Sequence, residues 1–317
     1  MSEQAPIYRG SDILSQLGGE MKDLMATVLK PDQQYTKAEV EQLFKQTATR
    51  AGGDPITENY HTHTFRCKHA KGDVKDYAEV ALDKGIVRLG ISDHTPLPDN
   101  DSPMIRMGMD ELPDYIKAIE DARKAYPNLQ IYKGMECDYF PRYHSFFKDV
   151  LLGEHQFDYL IGSVHAVELG DKVEFISGGF TQVDDNILKA YVKQMLEAME
   201  SGLFLFMAHP DLFAMGLRRW TPNVRASCRE ILSAAESLHI PLEINTSGYE
   251  KSRQQPEQFL PTGCPMEQFW EEAAGYHIEV VVNSDAHDPA LVNGDLGAGY
   301  KIMKKYNLKK ATLPFAR

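Results

Sequence analysis

The spacing of apolar residues changes character near residue 57. Over residues 13–29 apolar side chains recur at helical intervals, and Pro31 ends the run. Thr36 and Glu39 then have the spacing of a capping box, which indicates the start of a second helix. Residues 1–57 are therefore predicted to form an N-terminal helical extension. Its apolar face would either cover the main domain or form a subunit contact, and the pattern leaves both open.

The pattern after residue 56 alternates short apolar runs with helical stretches, which is typical of β/α units and a parallel sheet. Seven runs are predicted as strands, at residues 56–61, 87–92, 130–136, 159–163, 203–208, 242–245 and 278–283. Helices are predicted at residues 73–84, 111–125, 186–201, 224–238, 266–274 and 299–306. No repeat or linker divides this region. Residues 58–317 are therefore predicted to form one domain, with enough strands to close a barrel.

Composition and charge narrow the class of protein. Hydrophobic residues make up 43% of the 317 positions and charged residues 25%, as in ordinary globular proteins. The 46 acidic residues outnumber the 34 basic ones and give a formal charge of -12, which disfavours a nucleic-acid partner. No apolar stretch approaches the length of a membrane span, and the N-terminus does not have the pattern of a secretory signal. We therefore predict a cytoplasmic protein with no nucleic-acid or membrane partner.

Side chains of the kind that bind metals follow six of the seven predicted strands. They are His61, His63, His69, His94, Glu136, His165, His209, Asp285 and His287. In a parallel β/α barrel the carboxyl ends of the strands form one face, so these residues would converge although they are far apart in sequence.

The set of seven imidazoles and two carboxylates is too large for one tetrahedral ion but suits a cluster of two or three ions. Imidazole favours zinc, iron or manganese, and a carboxylate can bridge two ions. Such a cluster would hold a hydroxide at neutral pH and neutralise phosphate oxygens, which suits the hydrolysis of phosphate esters. Taken singly, an HxH histidine can be a core residue, Glu136 an ion-pair partner and Asp285 a helix cap. The joint pattern favours metal ligation.

The motifs HxH, SDH, GxE, GSVH, AHP and SDAH occur in this order between Asn59 and Leu308, and the chain resembles the PHP (polymerase and histidinol phosphatase) family. The runs HTHTFRCKHA, SDHTPLP, GMECDYFP and EINTSG look most like its histidinol-phosphatase branch. The resemblance implies a distorted seven-stranded (β/α)7 TIM-like barrel that holds three divalent metal ions, zinc, iron or manganese. It also implies hydrolysis of L-histidinol phosphate to L-histidinol and phosphate, a step of histidine biosynthesis.

The resemblance further implies how the ligands are divided among the ions. The first ion takes His61, His63, Glu136 and Asp285. Glu136 would bridge to a second ion, which is bound by His165 and His209. The third ion takes His69, His94 and His287. We expect a hydroxide that bridges the first two ions to be the nucleophile, and the third ion to take a phosphate oxygen or the leaving oxygen. Glu136, Asp285 and His287 are the expected catalytic residues.

Phosphate recognition by a chain of negative charge requires local cations, because a guanidinium or ammonium group supplies charge-assisted hydrogen bonds. Arg66 lies beside the HxH turn, and Arg218 follows His209 in the loop after the fifth predicted strand. The sequence departs from the family after EINTSG, where the family usually has an arginine almost at once, so Arg253 or Lys251 would take its place. For each of these residues an ordinary solvated role stays an equal alternative.

The four cysteines, Cys67, Cys137, Cys228 and Cys264, form no CxxC pair, which indicates reduced thiols and no structural zinc knuckle. Cys67 and Cys137 neighbour predicted ligands, but a packing role is favoured for both.

Two other functions compete with the leading one. The first is a PHP phosphoesterase that acts on a nucleotide or another small phosphate ester. The second is a noncatalytic metal-binding protein that docks through its N-terminal helices, although the intact ligand set argues against it. The predicted partner is a small phosphorylated substrate, and the choice between monomer and homo-oligomer is open.

Overall fold

The computed structural model describes residues 7–16, 25–26, 28–36, 39–40, 43, 56–170, 172–177, 181–254 and 264–315. The chain divides into two compact units, Met1–Ile56 and Thr57–Arg317. The assignment of the first part as a helical extension and of the second as the catalytic domain stays a prediction.

The first unit contains two short strands in addition to helix. Strand β1 (Ile7–Arg9) leads directly into helix α1 (Gly10–Gln16), and β1 pairs antiparallel with β2 (Gln34–Thr36). Thr36 and Glu39 form the predicted reciprocal cap, in which the backbone N of Thr36 donates to Oε2 of Glu39 at 2.7 Å. The strand pair was not predicted, because three residues are too few to show an alternating pattern.

The second unit is built on a curled parallel sheet of eight strands. The strands are β3 (Glu58–Asn59), β4 (Arg88–Ile91), β5 (Gln130–Asp138), β6 (Tyr159–Ser163), β9 (Phe206–Met207), β10 (Leu242–Asn245), β11 (Glu279–Asn283) and β12 (Lys309–Lys310), in this spatial order. A separate hairpin of β7 (Ala166–Leu169) and β8 (Lys172–Phe175) follows β6. A parallel bridge between Thr62 and Ala286 joins the chain after β3 to the chain after β11. The predicted TIM-like α/β class is confirmed, and each of the seven predicted strands overlaps a strand of the sheet.

Helices connect the strands, and six of the seven α-helices described in this unit lie close to predicted positions, whereas the one at Ser247–Gln254 was not predicted. The seven are α2 (Val74–Asp83), α3 (Leu112–Ala125), α4 (Asp185–Glu200), α5 (Pro222–Leu238), α6 (Ser247–Gln254), α7 (Glu267–Ala273) and α8 (Leu296–Lys305). Side-chain caps fix several of the starts: Asp73 and Asp76 form a capping box on α2, and Thr221 accepts from the backbone N of Val224 on α5. None of the described helices combines the length and the apolar character that a bilayer span requires.

An apolar cluster fills the sheet around Tyr159. The buried rings of Tyr60, Tyr159 and Phe206 pack together, and the hydroxyl of Tyr159 donates to the carbonyl of Tyr60 at 2.6 Å. A Cβ atom at Gly90 would lie 2.1 Å from that hydroxyl, and one at Gly134 would lie 2.3 Å from the Tyr159 ring. Glycine is therefore required on the two neighbouring strands where the ring crosses them.

Candidate metal centre

All nine predicted ligands lie at or beyond the carboxyl ends of the parallel strands. His61 and His63 follow β3, His94 follows β4, and Glu136 lies within β5. The remaining five are His69 in the loop after the first 3-10 turn, His165 after β6, His209 after β9, and Asp285 and His287 after β11. Because the strands are parallel and neighbouring, these turns meet at one face of the barrel.

The first group of donor atoms belongs to His61, His63 and Asp285, and these atoms lie within 4.8 Å of one another. Oδ1 of Asp285 is 3.0 Å from Nε2 of His63 and 3.5 Å from Nε2 of His61. Oε2 of Glu136 lies 3.4 Å from Nε2 of each imidazole. Both histidines are fully buried, so the group is shielded from water.

The second group is formed by Glu136, His165 and His209. Oε1 of Glu136 is 2.9 Å from Nε2 of His209 and 3.5 Å from Nε2 of His165. Glu136 thus presents Oε2 to the first group and Oε1 to the second, which is the arrangement of a carboxylate that bridges two ions.

The third group is formed by His69, His94 and His287. Nε2 of His287 is 3.0 Å from Nε2 of His69. His69 is exposed and His287 is partly buried, whereas His94 is buried and its Nδ1 lies 2.9 Å from Oε2 of Glu136. The third group therefore lies on the side of the centre that faces solvent.

Buried carboxylates orient two of the imidazoles through hydrogen bonds to their Nδ1 atoms. Nδ1 of His61 lies 2.8 Å from Oε1 of Glu243, and Nδ1 of His165 lies 2.9 Å from Oδ1 of Asp138. An ionised carboxylate only accepts hydrogen bonds, so each Nδ1 carries a proton and Nε2 is the ring nitrogen that a metal ion would bind. The predicted site residues did not include Glu243 or Asp138. An acid within an apolar strand was the available signal, because a buried carboxylate needs a buried partner.

Backbone carbonyls orient two more imidazoles in the same way. Nδ1 of His69 lies 2.7 Å from the carbonyl oxygen of Cys67, and Nδ1 of His287 lies 3.0 Å from that of Asp285. Since a carbonyl accepts, these Nδ1 atoms also carry the proton, and Nε2 faces the third group.

Several buried polar atoms at the centre have no hydrogen-bond partner in the described part of the chain. They are Nε2 of His61, both ring nitrogens of His63, Oε2 of Glu136 and Nδ1 of His209. Buried polar atoms are normally hydrogen-bonded, so a cluster of unpaired lone pairs that face one another fits the ligand set of metal ions.

The ionisation states of most of these groups suit metal binding. Although burial alone would raise it, the surrounding imidazoles hold the pKa of Glu136 well below its usual range. Burial lowers the pKa of His63 to about 3 and that of His94 to about 4, so both rings are neutral at pH 7.

His61 and His165 differ from these two neutral rings, although burial alone would lower the pKa of both. Glu243, Asp285 and Glu136 together raise the pKa of His61 well above its usual value. Asp138 and Glu136 together raise the pKa of His165 to about 9. A metal ion would have to displace a proton from each of these two rings.

Arg66, one of the candidate arginines, is bound by acidic residues that are not among the nine predicted ligands. Arg66 is buried, and its Nη1 and Nη2 atoms lie 2.6 Å from carboxylate oxygens of Asp73 and Asp114. This guanidinium is therefore committed to two carboxylates. Arg218 is exposed, and the side chain of Arg253 lies outside the described residues.

Lys251 lies close to the first group. Nζ of Lys251 is 3.4 Å from Oγ of Ser247, and that hydroxyl lies 3.0 Å from Oδ2 of Asp285. Burial is the largest influence on the pKa of both Asp285 and His287. It raises the pKa of Asp285, which Lys251 helps to lower, and it lowers the pKa of His287 in the same direction as Lys251.

Comparisons with known proteins find a matching family model and similar sequences. The family model described as the PHP domain matches residues 59–247. The protein named "Probable histidinol-phosphatase" from Deinococcus radiodurans is 31% identical over 236 residues, which cover 73% of this chain and 86% of the relative. The histidinol-phosphatase of Bacillus subtilis is 25% identical over 272 residues, which cover 76% of this chain and 96% of the relative.

The fold is shared with a solved structure as well. The crystal structure of histidinol phosphate phosphatase from Lactococcus lactis, in complex with zinc, L-histidinol and phosphate, superposes with a TM-score of 0.63 at 19% identity. The match covers 81% of this chain and 96% of that chain.

Proposed function

The chain belongs to the PHP domain family, and from this premise we propose that it is a metal-dependent phosphomonoester hydrolase acting on L-histidinol phosphate. The observation that carries the proposal is the shared carboxylate Glu136, which faces His61 and His63 with one oxygen and His209 with the other. A single structural ion would not need a bridging ligand, whereas catalysis on a phosphate ester uses adjacent ions.

The proposed cofactors are three divalent ions of zinc, iron or manganese, divided among the three groups as the family resemblance implies. When bound, the ions would supply a bridging hydroxide at neutral pH and positive charge for the phosphate oxygens. The residues of the chain hold and orient this machinery. Glu136 keeps the first two positions adjacent, and Asp285 closes the first group opposite Glu136. His287 closes the third group on the solvent side, where the substrate would enter.

Lys251 is the cation that we propose for the phosphate group. It lies beside Ser247, which contacts Asp285, so an ammonium at this position would face the same space as the ligands of the first group. Arg218 and Arg253 stay predictions as further phosphate contacts. Arg66 is left out of the proposal, because Asp73 and Asp114 already neutralise it.

The names of the relatives support L-histidinol phosphate as the substrate, since two curated relatives are described as histidinol-phosphatases. The product would be L-histidinol with release of phosphate. The predicted cytoplasmic location and the place of the enzyme in histidine biosynthesis belong to the same proposal.

Phosphate release from L-histidinol phosphate, beside a panel of nucleotides and sugar phosphates, tests the function directly. The protein is loaded with zinc, iron or manganese, and the bound metal is measured before the assay. We expect L-histidinol phosphate to be turned over fastest. Faster turnover of another ester would overturn L-histidinol phosphate as the substrate but would leave the proposed phosphoesterase activity in place. No release from any ester by metal-loaded protein would favour the noncatalytic metal-binding protein.

A further inference from the structure

Arg106 places a buried guanidinium against the carboxylate that orients His165. It lies in the loop between β4 and α3, and only 4% of its side chain is exposed. Nη2 of Arg106 donates to Oδ2 of Asp138 at 3.0 Å, and the side chain of Asp138 is 5% exposed. Both charges of this ion pair are therefore removed from water.

The two oxygens of Asp138 have different partners. Oδ1 accepts from the backbone N of His165 at 2.8 Å and lies 2.9 Å from Nδ1 of the same residue, whereas Oδ2 accepts from Arg106. The χ2 torsion of an aspartate has broad minima, so a carboxylate held at one oxygen alone can still turn. The guanidinium at Oδ2 restricts this rotation and keeps Oδ1 towards His165.

The same guanidinium is also bound to the neighbouring chain segment after β4. Nη1 of Arg106 donates to the carbonyl of Thr95 at 3.0 Å. Thr95 follows His94, and its backbone N and its hydroxyl both donate to the carbonyl of Glu136, at 2.9 and 2.8 Å. Because a guanidinium is planar and its donors point in fixed directions, Arg106 sets the position of Asp138 relative to the segments that carry His94 and Glu136.

Stability alone does not account for this ion pair. Nε of Arg106 is buried and has no hydrogen-bond partner in the described chain, so the guanidinium is only partly satisfied. Charges lose hydration when they are buried, and well-packed apolar residues in place of a buried ion pair are often neutral or stabilising. The contact with an orienting carboxylate gives the pair a functional reason.

We propose that Arg106 is a positioning residue for the second ion, the one held by Glu136, His165 and His209. It holds Asp138 so that Oδ1 orients His165, and its permanent charge offsets that of the carboxylate whether or not the ion is bound. Removal of such a supporting residue leaves every ligand in place and weakens metal binding about 10–100-fold. The inference rests on the proposed function, because it requires the metal centre.

Zinc competition against a chromophoric chelator, carried out on the full chain, tests the proposal. Arg106→Gln should bind one zinc ion about 10–100-fold more weakly than the wild-type protein and retain the others. Phosphate release should need correspondingly higher free zinc, because the ligands themselves are unchanged.

Arg123→Gln is the matched control. Arg123 also joins a carbonyl to a carboxylate: its Nε donates to the carbonyl of Ile131 at 2.9 Å, and its Nη2 pairs with Asp158. Ile131 and Asp158 lie at the amino ends of β5 and β6, opposite the face that carries the predicted ligands. This variant should bind zinc as the wild-type protein does, even if it unfolds more readily.

Combining Arg106→Gln with Asp138→Asn distinguishes a positioning role from a purely structural one. If Arg106 acts through Asp138, the double variant should bind zinc about as weakly as Asp138→Asn alone. Independent effects would instead multiply the two losses of affinity, and that result would overturn the proposal.

The outcomes separate this inference from the proposed function. Unchanged zinc affinity in Arg106→Gln, or an equal loss in Arg123→Gln, overturns the role of Arg106 and leaves the metal centre in place. Zinc binding without phosphate release overturns the proposed function and leaves the zinc measurements on Arg106 valid. Wild-type protein that binds no metal overturns both.

A second variant decides if Arg106→Gln does not fold. Arg106→Lys keeps the charge, but a single ammonium group cannot reproduce the fixed fork between the Thr95 carbonyl and Asp138. The proposal requires weaker binding of one zinc ion in this variant, and unchanged affinity overturns it.

Discussion

Replacing Glu243 with glutamine removes one acceptor oxygen from a fully buried carboxylate beneath the metal centre. Each of its two oxygens accepts two hydrogen bonds. Oε1 lies 2.8 Å from Nδ1 of His61 and 2.9 Å from Nδ2 of Asn283, and Oε2 lies 3.0 Å from the backbone N of His209 and 2.9 Å from Nδ2 of Asn245. A glutamine amide has one acceptor end and one donor end. In either orientation its NH2 group would face two other hydrogen-bond donors.

The neighbouring asparagines cannot relieve the conflict by rotating their amides. Oδ1 of Asn283 accepts from the backbone N of Tyr60 at 2.8 Å, and Oδ1 of Asn245 accepts from the backbone N of Ser247 at 3.0 Å. Loss of a hydrogen bond to a charged group costs about 1.5–3 kcal/mol, so two losses lower the free energy of unfolding of Glu243→Gln by about 3–6 kcal/mol. Because one lost partner orients a metal ligand, metal affinity should also fall ~10–100-fold.

Zinc competition against a chromophoric chelator measures the affinity, and denaturant unfolding of the metal-free and zinc-loaded protein measures the stability. Glu267→Gln is the control, because Glu267 bonds Tyr306 at the surface and is 54% exposed. That variant should bind zinc normally and change stability by less than about 0.5 kcal/mol. If Glu243→Gln matches the wild-type protein in both measurements, Glu243 does not orient His61 and the reasoning is refuted.

Three further predictions follow from the same geometry. Glu136→Ala should lose bound metal and phosphatase activity together, since it removes the shared carboxylate; retained turnover with a full metal content would contradict the bridging role. Lys251→Ala should raise the KM for the phosphate ester roughly tenfold or more with little change in kcat, because a charge-assisted hydrogen bond to the phosphate would be lost. The control Lys193→Ala, at an exposed lysine, should leave steady-state kinetics unchanged. Gly90→Ala should lower the melting temperature sharply in a thermal scan, because its Cβ would lie 2.1 Å from the hydroxyl of Tyr159, and an unchanged melting temperature would show that the ring can move aside.

The strands were predictable from the sequence wherever burial on both faces produced a continuous apolar run. The pattern at 242–245 and at 278–283 coincides with β10 and β11, which are largely buried, because parallel strands covered by helices leave no polar face. Strand β12 escaped prediction for the opposite reason. It consists of Lys309 and Lys310, both exposed at the edge of the sheet, so no hydrophobic signal marks it.

The convergence of the nine predicted ligands was also predictable, but the residues that support them were not. A histidine that follows a buried strand is conspicuous, because it ends an apolar run and points to the active-site face. Glu243 lies within an apolar run, which indicates a buried acid but not its partner: His61 lies 182 positions away, and the contact depends on how the sheet curls. Arg66 illustrates the converse, since its place beside the HxH turn suggested a phosphate contact, whereas Asp114, which engages it, is 48 positions away.

The distribution of the predicted ligands over the sheet would link metal binding to barrel closure. His61 and His63 stand on one side of the seam at which the sheet curls back on itself, and Asp285 stands on the other. Within the described chain this seam is held by the bridge between Thr62 and Ala286, including a 2.9 Å hydrogen bond from the backbone N of His63 to the carbonyl of Ala286. An ion shared by His63 and Asp285 would bind only when the seam is closed. By mass action it would therefore stabilise the closed barrel over any state in which β3 separates from β11. The ion would then contribute to the stability of the fold as well as to catalysis.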